Sequence, residues 1–229
     1  MKVRKIILEG WESYTNKVAK SLLSPENEKM MQLQLAQIYQ ALSPVYEYDT
    51  SESIKVLLEV PVTIRETVSR SIDIVISHAH GNATTLYPIE LKCFRLMTRA
   101  GTGKRGAQNL GMYDYWEDIE NIENYAKLSG YAQAFQFTLT DDPYYVNTDH
   151  KGPQVATYST NAKRTAVTGK LHQSIANRSG QIELTYTYSM GGWQKLGAFY
   201  SIAQQTPCRI TSPCTGRLSA DSRPPTCGR

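Results

Sequence analysis

Cysteine, histidine and long apolar runs are all scarce in this 229-residue chain, and each scarcity excludes something. Of the four cysteines, Cys208, Cys214 and Cys227 have spacings that fit no common zinc site. Cys93 lies in an apolar stretch, where a small buried hydrophobe is the expected role. Among the four histidines, His78-Ala79-His80 reads as a polar turn rather than a metal clip. The amino end, MKVRKIILEGWE, holds too short an apolar run for a signal peptide or a membrane span. A cytoplasmic, reducing setting without a membrane partner is therefore expected, and the sequons at Asn82 and Asn177 carry no meaning. Strong charge is lacking too. Residues 206–229 supply +3 of the net +4, so the rest of the chain carries only +1. Bulk charge does not advertise a nucleic-acid partner, and only local clusters could.

A composition of 41% hydrophobic and 20% charged residues is that of an ordinary soluble domain. The length suits one domain with a sizeable core. Its centre is Arg70 to Phe94, RSIDIVISHAHGNATTLYPIELKCF. Two segments rich in Ile, Val and Leu, Ser71–Ser77 and Leu86–Phe94, flank the turn-like His78–Asn82, so a pair of strands is expected. Alternation puts Ile72 and Ile74 on one face and Asp73 on the other. On the second strand Glu90 and Lys92 share a face opposite Ile89 and Leu91. If the polar faces coincide, an Asp, a Glu and a Lys meet on one side of an apolar hairpin. Two carboxylates a few Å apart can hold a divalent cation that prefers oxygen. Such a cation polarises a phosphodiester and activates water, and a lysine beside it stabilises developing charge.

Asp73 followed by Glu90-Leu91-Lys92 resembles the PD-(D/E)XK nuclease superfamily, the restriction-endonuclease-like fold. The proline of that pattern is absent, since Ile72 precedes the Asp. The resemblance covers roughly Ser24 to Val146. It implies a mixed central β-sheet flanked by helices and Mg²⁺-dependent hydrolysis of DNA, with Mn²⁺ as a substitute metal. By the same resemblance Asp73 and Glu90 ligate metal, the Leu91 carbonyl adds a ligand, and Lys92 positions the water. Glu28, on the helix before the sheet, is the candidate further ligand. A DNA partner follows, and a homodimer is compatible with it.

Around this centre the pattern is α/β. Trp11, Tyr14, Val18 and Leu22 have helical spacing within residues 1–23. Ser24-Pro25-Glu26 looks like the start of a second helix, with Ser24 as N-cap and an inward stripe of Met31, Leu35, Ile38 and Leu42. Ile54–Arg65 reads as a strand that Pro61 bends or ends. Its Glu59 faces either the site or water. Arg95, Arg99, Lys104 and Arg105 lie on a glycine-containing loop suited to phosphate-backbone contact. It is not a P-loop, because position 98 is Thr and Arg follows Lys104. A helix is expected from about Ala107 to Leu128, with Met112, Trp116, Ile119 and Ile122 inward. Asp114, Glu117, Asp118, Glu120 and Glu123 cover its other side in structural roles. YDYWEDIENIENYAKL and the following YAQAFQFTLTDDPYY resemble the crossover helix and strand that come after Glu-x-Lys in restriction-endonuclease-like proteins.

Strands are expected at Ala132–Leu139 and Gln181–Tyr188, and a last strand or short helix at Ala198–Ala203. Residues 1–205 form the single domain. Residues 206–229 hold four prolines, three cysteines and no aromatic, and read as a disordered or non-native tail. Two rivals share these features. One is a catalytically silent DNA-binding or scaffold protein on the same fold. The other is an unrelated interaction module in which Glu90 and Lys92 are a surface pair.

Overall fold

The computed structural model describes residues 2–64, 68–97, 103–104, 106–175 and 177–207. Arg99, Arg105 and the chain from 208 onward lie outside the described residues.

The sheet is built from the centre outward. Strand β2 (Val68–His80) pairs antiparallel with β1 (Glu52–Ile64) on one side and with β3 (Ala83–Phe94) on the other. The hairpin turn is only Gly81-Asn82, with Gly81 at φ 57°, the left-handed value a two-residue turn requires. His78 and His80 belong to the strand rather than to a five-residue turn. Strand β4 (Phe135–Thr140) joins β3 in parallel, which demands a crossover, and α3 (Gln108–Tyr125) supplies it. β8 (Phe199–Gln205) and β7 (Gln194–Leu196) complete a six-stranded mixed sheet ordered β1-β2-β3-β4-β8-β7. A separate hairpin, β5 (Val167–His172) with β6 (Gln181–Tyr188), packs outside α3. Short helices α4 (Tyr144–Asn147) and α5 (Pro153–Tyr158) lead to it.

Helices α1 (Lys2–Ala19) and α2 (Glu28–Leu42) cover one face of the sheet, and a 3₁₀ turn, Ser43–Tyr46, follows α2. Val3, Ile6, Ile7, Tyr14, Met31, Leu35 and Tyr39 pack there on Ile74, Ile76, Ile89, Leu91, Cys93, Phe135, Phe137 and Leu139. Cys93 is thus a buried hydrophobe, as expected. The other face carries α3, with Met112, Trp116, Ile119 and Ile122 inward. Among the described residues no helix is long and apolar enough to cross a membrane.

Several boundaries differ from the sequence reading, each for a local reason. α1 ends at Ala19, so Leu22 is exposed rather than part of the apolar stripe. The N-cap of α2 is Asn27, whose side chain accepts from Met30 N at 2.9 Å, and not Ser24. β1 runs straight through Pro61, which pairs with Ser71; β1 is an edge strand, where a missing N–H is tolerated. The irregularity falls instead at Glu59, at φ 51°. Thr206 is not tail. It is buried, its N–H donates to Ala134 O at 3.0 Å, and its hydroxyl accepts from Ala134 N at 3.0 Å.

Candidate functional site

The β2–β3 ladder stops at Ile74↔Ile89, while β3 stays paired with β4 through Glu90↔Gln136 and Lys92↔Thr138. The two strands of the hairpin therefore fork at Asp73 and Glu90. Asp73 does not simply point to one face. Its Oδ2 accepts a hydrogen bond from Leu91 N at 2.8 Å, so the carboxylate satisfies an amide that the ladder has left free. A residue's N–H and C=O lie on the same strand edge, so the Leu91 carbonyl is turned to the fork as well. The fork also explains a departure from regular alternation. Ile72 packs on the α3 side and Ile74 on the α1–α2 side, not on one shared face.

Glu90 and Lys92 do share a face, and α3 covers it. The Tyr125 hydroxyl donates to Glu90 Oε1 at 2.8 Å. Lys92 Nζ lies 2.8 Å from Asp118 Oδ2 and 3.7 Å from Glu28 Oε2. Lys92 is the ion-pair partner of an Asp118 oxygen that has no other partner among the described residues. Glu90 and Asp118 are buried, so the reading of Glu90 and Lys92 as a surface pair does not hold. Four carboxyls, Asp73, Glu90, Asp118 and Glu28, thus surround one ammonium. Lys29 is a second cation at the rim, with its side chain 65% exposed and Nζ 4.0 Å from Asp73 Oδ1.

The electrostatics follow from that count. Burial pushes the Glu90 carboxyl well above the usual range, and Asp118 and Asp73 push it further. Asp118 is raised to about 7, by burial first and by Glu28 and Asp73 next, against Lys92. Burial also raises Asp73 and Glu28; the Leu91 amide opposes it at Asp73 and Lys92 opposes it at Glu28. Burial alone would lower the Lys92 ammonium, but Asp118, Glu28 and Glu90 outweigh it and hold it charged. The cluster is short of positive charge.

Among the described residues no three His, Cys, Asp or Glu donors are grouped to hold a metal as they stand. The donor set is nonetheless the hard-oxygen kind that Mg²⁺ takes, and burial pushes its carboxyls toward the neutral form, with neighbouring acids adding to this at Glu90 and Asp118. The residues fit a cation chemically.

The structure brings Asp73, Glu90, Lys92 and Glu28 together, with the Leu91 backbone at the same fork. Asp118 was missed. Its spacing placed it with the solvent-facing acids of α3, but the β5–β6 hairpin and the sheet enclose that helix on both sides. Glu123 is buried for the same reason: its carboxylate accepts from Thr185 N, Tyr186 N and Tyr188 Oη. No sequence signal separates these two acids from their half-buried neighbours Asp114, Glu117 and Glu120. Arg95 is not available as a phosphate contact. Its Nε donates to Asp141 Oδ2 at 2.8 Å, its Nη1 donates to Pro25 O, and its guanidinium lies over the Phe199 ring. It clamps the end of β3 to the entry of α2. Lys104 is exposed and bridges to Met97. The chain matched no protein-family model, no curated protein and no solved structure.

Proposed function

We propose that this protein is an Mg²⁺-dependent phosphodiester hydrolase acting on DNA, with a restriction-endonuclease-like core. One observation carries the reading. Asp73, Glu90 and Lys92, from two strands that separate at that point, converge at one fork with Glu28 beside them. A bound Mg²⁺ would supply phosphate polarisation and water activation. Asp73 and Glu90, with the Leu91 carbonyl and Glu28, are the residues that would hold it. Lys92, kept protonated by its acid neighbours, presents a fixed positive charge to a developing phosphate anion. Asp118 and Glu28 orient that ammonium. Lys104 is an exposed cation that would face the substrate backbone.

A catalytically silent protein on the same fold is favoured by a different observation, that no three donors are grouped for a metal as they stand. Calorimetry separates the two. Mn²⁺ or Mg²⁺ should bind the wild type, and Glu90→Ala should abolish both that binding and cleavage of DNA. Equal metal affinity in the two proteins would refute the assignment. A wild type that binds no metal would favour the silent reading.

A further inference from the structure

Asp73 reaches the site because β2 is broken on both of its edges, and the second edge is held from outside the sheet. On the β1 side, Leu58 pairs with Ile74 and Val60 with Ile72, but Glu59 and Asp73 between them do not pair. Glu59 takes a left-handed φ of 51°, a strained conformation for a non-glycine residue that persists only where its surroundings hold it. Gln32 of α2 fills the gap. It is buried, and its Nε2 donates to the Asp73 carbonyl at 2.6 Å and to Glu59 Oε1 at 2.7 Å. Glu59 is held further by Lys29 and by the Ser71 hydroxyl, 3.1 Å from its Oε2. The carbonyl that β1 would have paired is thus given to a helix side chain.

We infer that Gln32 and Glu59 are positioning residues for Asp73: they hold the break in β2 that turns its carboxylate into the sheet plane, onto Leu91 N and toward Glu90. Without them the regular ladder can close between Glu59 and Asp73, and alternation would send the carboxylate out of the plane. The inference rests on the metal-site reading only for its consequence. The aim of Asp73 itself is measurable without metal.

The experiment is amide hydrogen exchange on Gln32→Met, which keeps the side-chain length and removes the donor. Glu59→Asn serves as second variant, since Asn tolerates the left-handed backbone but cannot reach as far. In the wild type the Leu91 amide should be protected although β2 does not pair with it on that edge. In both variants it should exchange about tenfold faster or more, the size of one charge-assisted hydrogen bond, while Phe137 in β4 keeps its rate. A purely structural Gln32 would instead lower the protection of Leu91 and Phe137 together. An unprotected Leu91 in the wild type, or an unchanged ratio to Phe137 in a folded variant, overturns the inference. So does unfolding of both variants, since the pair would then hold the fold rather than one side chain. Mn²⁺ titration of the same proteins should show about tenfold weaker binding in the variants. A wild type that binds no Mn²⁺ sinks the metal reading, and the exchange rates still decide this one.

Discussion

At the scale of single residues, the site is a problem in charge compensation. Lys92 is the ammonium on which Asp118 and Glu28 converge, and its side chain is only 18% exposed. Removing one partner of a buried pair leaves the other charge unanswered, at a cost of roughly 3–5 kcal/mol, although the exchange of partners here softens it. Lys92→Met, which preserves volume, should therefore lower the unfolding free energy at pH 7 by about 3 kcal/mol in urea titration. A change within experimental error would mean that the acids are already neutral and that Lys92 compensates nothing. On the proposed reading Lys92 would serve both hydrolysis and stability, so activity loss in a Lys92 variant is interpretable only beside its stability.

At the scale of elements, the α1–α2 layer depends on one close approach. A Cβ at Gly10 would stand 2.3 Å from Tyr39 Cε1, and Tyr39 is fixed at both ends. Its ring is fully buried and its hydroxyl donates to Ile7 O at 3.2 Å. In an isolated helix Gly→Ala would stabilise by about 1 kcal/mol. Here overpacking, typically ~1–3 kcal/mol, should win. Gly10→Ala is expected to lower the melting temperature, and a rise would show that the two helices separate freely. Because α2 also carries Glu28, Lys29 and Gln32 to the fork, a shift of that helix is expected to disturb the site as well. On the opposite layer the β5–β6 hairpin is held by acids of α3. Glu120 accepts from Glu183 N at 3.0 Å, and Asp114 pairs with Arg178 at 2.7 Å.

At the scale of the whole molecule, acid stability should report the contact that ties the start of α1 to the outer sheet. Glu52 is held down to about 2 by Lys2 first, then by Tyr48 N–H and His78. Its folded value lies below its unfolded one, so its stabilising contribution is present above about pH 4.5 and is lost as pH falls toward 2. Glu52→Gln should therefore melt lower than the wild type at pH 6, and the gap should close by pH 2. A gap that stays constant across that range would show that the carboxylate charge is not what stabilises the contact.

The sequence by itself determined the alternation of helices and strands, the central hairpin, the crossover helix after it and the Asp73, Glu90 and Lys92 set. These are local signals: apolar period, turn residues and the spacing of charges along one strand. Strand β6 was legible to the residue, because QIELTYTY alternates cleanly. Tertiary structure alone decided which acids are buried. Asp118 and Glu123 look like Glu117 and Glu120 along α3, and differ only because the sheet and a distant hairpin close over them. It also decided that Arg95 serves a clamp, since Asp141 and Pro25 lie far from it in sequence. Above all it decided the aim of Asp73. Alternation sends a strand side chain to one face or the other. Here an amide from α2 and a left-handed Glu59 interrupt the ladder, and only those long-range partners turn the carboxylate into the fork.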